Sequence, residues 1–405
     1  MEAVAFFSAI AFVEDRLSSA SIARLMKQSF ALNSCLFFAT AFSALAYGPE
    51  GHKIVGGIAD QRLAETPAGA RVTRLLDGYT LEEVSIIADT IKEWDKKGAH
   101  PKVRKYFSSH PEMARQLREF WHANRPGRGE DARRPSHHWF HYTDVPVVGE
   151  EKYGDGRVGR SRWDIVSMMR SCIGVLEGRI SEANERKITG PIAVILLAHL
   201  VGDIHQPLHV AAQYFDKKGL PANPDQVSGT WSDNGGNALR IKLLGVSTRS
   251  DRQKLHAFWD ADAVLANWPT FPGTMEKEQR QAATKAAKKA LMKRLATTEP
   301  KGWSSGEPAE KLPEIWANDT LPLARAAYAR LHYENVVLKF DHGRMFVDGE
   351  IVEKEGDYSV PYRQWAAGEV LTELHKAGWR LADLLARIYS AEAAKTPAAR
   401  SSSAP

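Results

Sequence analysis

The residues best suited to chemistry lie in one central stretch, Ala198-His199-Leu200-Val201-Gly202-Asp203-Ile204-His205-Gln206-Pro207-Leu208-His209. His199 and Asp203 stand four apart, so on a helix they project from one face, one turn above the other. They follow the strongly apolar run Ile192–Leu197. An imidazole beside a carboxylate in such a setting is costly unless the two are paired or metal-bound. Pro207 ends or kinks the helix and re-aims His209. The same spacing recurs at His256 and Asp260, flanked by Phe258 and Trp259. For one such pair a buried His–Asp hydrogen bond is the plainer reading. Two pairs, with His209 in addition, weigh as much toward a multi-metal site, and this mixture of imidazole and carboxylate suits zinc.

The elements that would position these groups read as helices. Apolar residues recur at i, i+3, i+4 spacing over 50–65, 81–97, 164–180, 188–206, 251–266, 278–295, 314–332 and 362–390. The fold class expected is all-α: one mainly helical domain with a small β-hairpin. That hairpin is expected in Arg344–Val352, with Asp348-Gly349 as a two-residue turn. A second short strand is expected at Ala238–Leu243, after Gly235-Gly236. Three segments read as insertions on the helical frame: 98–137, which is basic with interleaved aromatics, and the loops 212–234 and 298–312. The tail 391–405, built of Ala, Ser and Pro, is expected to be disordered.

The N-terminus reads as an export signal. Met26-Lys27 precedes an apolar run from Phe30 to Leu45 that closes in Ala44-Leu45-Ala46. This is an n-region, an h-region and an A-x-A site, with the cut before Tyr47 and the natural start at Met26. The domain is then 47–390, placed in the periplasm or secreted. Cys172 is the one cysteine left after such a cut, which excludes an intramolecular disulfide and leaves metal as a possible staple. No later stretch reaches the roughly 18 apolar residues of a membrane span. The net charge of +5 over 405 residues suits an anionic substrate but fits many other proteins.

Together these segments resemble the S-one/P-one nuclease family, trinuclear-zinc nucleases specific for single strands, whose fold and metal site bacterial zinc phospholipase C shares. The matching residues are Tyr47-Gly48-Pro49-Glu50-Gly51-His52, Ile87-Ala88-Asp89, Trp139-Phe140-His141-Tyr142-Thr143-Asp144, the 199–209 block, Gly235-Gly236-Asn237, the 255–260 block and the helix Ala367–Tyr389. They run from residue 47 to about 390 in the family's order. The resemblance implies three Zn2+. Tyr47, through its backbone amine and carbonyl, and His52 would hold one, and Asp89, His141 and His199 a second. Asp203 would bridge these two, and His209, His256 and Asp260 would hold the third. Lys92 stands where the nucleases carry an arginine that neutralises transition-state charge, and it lacks the bidentate fork. Tyr142, Asp144 and Asn237 fall where the family forms its base pocket, which would favour unpaired strands.

The activity so implied is hydrolysis of single-stranded DNA and RNA to 5′-phosphates, with 3′-nucleotidase activity, by a monomer. Its rivals are a zinc phospholipase C and a non-catalytic zinc-binding protein. Tyr47 replaces the family's usual Trp, which is tolerable because the ligands there are backbone atoms. His205 reads as a supporting or structural residue, His137 and His138 as loop histidines, and the Lys/Arg-rich helix at 276–294 as a solvated face.

Overall fold

The computed structural model describes residues 47–98, 109–127, 135–243, 253–272, 274–341, 343–356 and 358–395. The expected export signal, and the tail beyond residue 395, lie outside them.

The frame is helical. Near the start come α1 (Gly48–Leu63), α2 (Pro67–Leu75), α3 (Leu81–Val84), α4 (Ile87–Lys97) and α5 (Pro111–Asn124). Then follow α6 (Ile165–Leu176) and α7 (Gly190–Asp203). Three short pieces, Leu255–Ala257, the π-helical Phe258–Asp262, and Ala263–Leu265, form one run, here α8. The last are α9 (Lys277–Thr297), α10 (Leu312–Ala329) and α11 (Tyr362–Lys395), which continues into the stretch read as tail. Among the described residues no helix is long and apolar enough to cross a membrane.

α7 is buried on every side, from Ile192 to Asp203, as expected of a helix at the centre of a domain. Helices α1, α4, α6 and α11 pack around it. α1 and α11 approach so closely that a Cβ on Gly378 would lie 2.5 Å from Ile58 Cβ. The stretch 81–97, read as one helix, is broken into two. Ser85 Oγ donates to Glu82 O at 2.9 Å, a side-chain bond that competes with the helical ladder. The break leaves the Ser85 carbonyl free for another partner. α5 lies inside the segment read as an insertion.

The sheets are small. β1 (Val145–Pro146) pairs parallel with β2 (Ala211–Ala212), and β3 (Tyr214–Phe215) antiparallel with β4 (Trp231–Ser232). β5 (Leu239–Lys242) runs parallel to β7 (Arg344–Glu353), which pairs antiparallel with β6 (Leu331–Asp341). The expected hairpin exists, but its turn is not Asp348-Gly349. Both residues lie inside β7, and the chain reverses between Asp341 and Arg344. Gly349 is needed for a different reason. It faces the irregularity between Glu334 and Val337, where a Cβ would lie 3.0 Å from Val336 Cα. Asp348 binds Arg240 and Lys339.

Candidate metal centre

α7 delivers His199 and Asp203 as the spacing predicts. His199 Nδ1 donates to the freed Ser85 carbonyl at 2.7 Å, which turns Nε2 inward. There Nε2 lies 3.2 Å from Asp203 Oδ2, 3.1 Å from His141 Nδ1 and 3.7 Å from Asp89 Oδ1. Asp203 spans two groups. Its Oδ2 is 2.9 Å from His141 Nδ1 and its Oδ1 is 3.3 Å from His52 Nε2. The His52 ring stacks on His199 with centroids 3.8 Å apart. Gly202 makes that room: a Cβ there would lie 2.8 Å from His52 Nδ1.

The chain then turns through the 3-10 segment Pro207–His209, and His209 Nδ1 donates to His141 O at 2.6 Å. His256 Nδ1 donates to Gly235 O at 2.7 Å, and its Nε2 is 3.4 Å from Asp260 Oδ2. Thus three histidines tie Nδ1 to a main-chain carbonyl and present Nε2, the arrangement metal-ligating histidines adopt. Asp260 sits on the π-helical turn, a feature often found at functional sites. Tyr47 is buried, and its hydroxyl donates to His205 O at 2.7 Å. Its neighbour Gly48 brings the backbone against α8, since a Cβ there would lie 3.0 Å from Asp260 O.

The donor set fits metal ions on two grounds. Ligand atoms gather into three buried groups: His52, His199 and Asp203; Asp89, His141 and His199; and His209, His256 and Asp260, each within 4.8 Å. Several of those atoms also have no hydrogen-bond partner: both ring nitrogens of His52, Asp203 Oδ1, His209 Nε2 and Asp260 Oδ2. Buried groups left so are expensive, by roughly 1–3 kcal/mol each, and a cation would satisfy them together. Burial and neighbouring charges set the protonation of these groups. Burial, followed by Lys92, holds the His141 imidazole well below its usual value, and burial followed by His209 lowers His256 to about 3. Burial alone would raise Asp203, but His199, His209 and His141 hold it well below the carboxylate range. Asp260 is pushed well above by burial, against the Gln206 hydrogen bond and with the Asp203 and Asp89 carboxylates adding to the rise.

Lys92 is buried and its Nζ contacts Asp89 Oδ1 at 2.8 Å. Tyr142 follows His141 and is 36% exposed. Asp144, behind it, is raised to about 7 by burial and by the Asp233 carboxyl. Asn237 turns its amide onto Asn234 O at 2.9 Å, which leaves its carbonyl oxygen as the group a base edge could meet. His205 is structural in its contacts: Nδ1 donates to Val201 O at 2.7 Å, and Nε2 accepts from Arg380 at 2.8 Å.

Sequence reasoning missed three supports. Gln206 Nε2 donates to Asp260 Oδ1 at 2.7 Å, while its Oε1 accepts from Leu208 N. It therefore joins the turn carrying His209 to the helix carrying Asp260. Its place between His205 and Pro207 in the motif was the available signal. Gly202 and Ser85 gave none, because their work depends on residues distant in sequence.

A buried, helix-held set of imidazoles and carboxylates with unpartnered atoms is one that could hold metal ions. The S1/P1 Nuclease family matches residues 47–390. Among curated proteins, Endonuclease 2 of Arabidopsis thaliana is 23% identical over 356 residues, spanning 85% of this chain and 90% of that one. The chain belongs to the S1/P1 nuclease family, and it is a phosphodiester-hydrolysing enzyme.

Proposed function

We propose that this protein is a zinc-dependent endonuclease that cleaves single-stranded DNA and RNA, leaves 5′-phosphates, and removes 3′-phosphates from nucleotides. The observation that carries the reading is the convergence of unpartnered buried ligand atoms in three groups. Three zinc ions would be held by Tyr47 backbone atoms with His52 and Asp203, by Asp89, His141, His199 and Asp203, and by His209, His256 and Asp260. When bound, zinc supplies Lewis acidity toward phosphoryl oxygens and a water of lowered pKa.

The chain's own residues do the rest. Lys92 keeps Asp89 ionised and places a fixed positive charge beside the phosphate site. The exposed ring of Tyr142 offers a stacking face for an unpaired base, a contact worth about 1–3 kcal/mol. Asp144 and Asn237 offer donors and acceptors to the base edge. A paired base has its edge and faces engaged, so this pocket favours single strands. We also propose that the chain is exported, with Tyr47 as the processed N-terminus, and acts as a monomer in the periplasm or outside the cell. The family match beginning at residue 47 supports that boundary.

The test is to purify the exported protein, sequence its N-terminus, count zinc and assay single-stranded DNA, duplex DNA, RNA and phosphatidylcholine. Three zinc ions, a Tyr47 start and a preference for single strands are expected. Hydrolysis of phosphatidylcholine in place of nucleic acid would make it a phospholipase, and full activity after chelation would remove the metal mechanism.

A further inference from the structure

The two histidines read as loop residues are neither loose nor idle. They begin the 3-10 helix His137–His141 that also carries His141. Both turn onto one oxygen: Asp95 Oδ2 lies 2.7 Å from His138 Nε2 and 3.0 Å from His137 Nε2. The other oxygen, Oδ1, accepts from Trp121 Nε1 on α5 at 2.8 Å. Asp95 belongs to α4, the helix of Asp89 and Lys92. Asp89, Lys92 and Asp95 follow one another at three-residue steps along one side of α4. On a 3-10 helix, residues i and i+3 eclipse, so His138 and His141 face the same way. α4 and the 3-10 helix therefore meet twice, once through Asp95 and once through Asp89 and His141, 3.9 Å apart.

Asp95, His137 and His138 could in principle hold a fourth metal ion. The hydrogen bonding argues against that use. The 2.7 and 3.0 Å separations are hydrogen-bond lengths. All the converging atoms are already partnered. His137 Nδ1 is buried with no partner. A proton on Nε2, given to Asp95, leaves Nδ1 with nothing to donate.

We propose that Asp95, with His137, His138 and Trp121, is a clamp that positions Asp89 and His141 as ligands of one zinc. Asp95 is a positioning residue, and this role rests on the proposed zinc centre. The test therefore includes a readout that needs no zinc. In zinc-free full chain, Asp95→Ala is expected to speed hydrogen exchange of the amides of residues 137–142 at least tenfold, leaving those of 255–265 unchanged. In the zinc-loaded enzyme, one of three zinc ions should be lost to a chelator about 10–100-fold more readily, the other two being retained. His138→Gln, which keeps an N–H donor, should restore wild-type behaviour in both measurements, and His138→Ala should not. Trp121→Phe gives the same trend more weakly if Asp95→Ala folds poorly.

Unchanged exchange and zinc retention in Asp95→Ala would overturn the clamp. Loss of all three zinc ions together, with faster exchange everywhere, would reduce it to general stability. A fourth bound metal that disappears with Asp95→Ala would replace it with a metal site. Faster local exchange in a protein whose wild type binds no zinc would remove the clamp's purpose and the zinc centre with it.

Discussion

Helix α4 touches two groups of histidine and aspartate, and each meets the cost of burial differently. Around Asp89 and Asp203 the side chains are almost wholly enclosed, yet several ligand atoms lack a partner. Around Asp95 both carboxylate oxygens are bonded, and His138 remains 39% exposed. Residue types are the same in both groups. The spacing overlaps: His–Asp atom pairs lie 2.9–3.3 Å apart in the first group and 2.7–3.0 Å apart in the second. The first group keeps unpartnered ligand atoms that an ion would meet, whereas the converging atoms of the second are closed by hydrogen bonds. Composition alone would count both as metal sites, and the unpartnered atoms tell them apart.

Breaking the bridge should have the largest effect. Asp203→Ala removes the carboxylate shared by two groups, so two zinc ions should be lost. Activity on single-stranded DNA should fall by more than the roughly 10–100-fold typical of losing a supporting partner. Metal analysis and initial rates check both.

Gly202→Ala tests whether space, rather than chemistry, sets the first group. The added methyl meets the His52 ring, so zinc should bind that group roughly tenfold or more weakly. Titration of the zinc-free protein with zinc measures this. A Kd equal to wild type would show that the ring can move aside.

Gln206→Leu removes the amide that holds Asp260 while keeping the volume similar. Only the zinc held by His209, His256 and Asp260 should weaken, by about 10–100-fold. This sharpens the contrast with Asp95→Ala, which should weaken only the zinc held by Asp89 and His141.

The Asp144 carboxyl predicts a smaller, pH-dependent effect. Its folded value is raised to about 7, so folding favours the protonated form. The cost of ionising it is absent below the unfolded value of roughly 4 and complete above about 7. Asp144→Asn should therefore raise Tm at pH 8 more than at pH 5. It should also flatten the pH dependence of KM for oligonucleotides near 7, leaving that for bis(nitrophenyl) phosphate unchanged. Equal Tm changes at the two pH values would show that burial at Asp144 carries no charge penalty.

Much of this centre was legible in the sequence because its ligands come as local pairs. His199 with Asp203 is fixed by helical spacing alone, and His256 with Asp260 repeats the same four-residue step. The helical frame was legible for a related reason, since α6 carries apolar residues at helical spacing and α7 is apolar on every side. What could not be read depends on contacts between distant segments. The break at Ser85 serves His199, 114 residues away. The π-helical turn that sets Asp260 has no period of its own in sequence. Asp348-Gly349 carried a turn signature, but the close approach of Val336 explains the glycine instead. His137 and His138 looked idle because their partner, Asp95, lies 42 and 43 residues back on another helix.

The most direct test is a crystal structure of the processed enzyme grown with zinc, with anomalous difference maps at the zinc edge. Three peaks are expected among His52, Asp89, His141, His199, Asp203, His209, His256 and Asp260, and none between Asp95 and His138. Fewer than three peaks at the centre, or a peak at Asp95, would contradict the account.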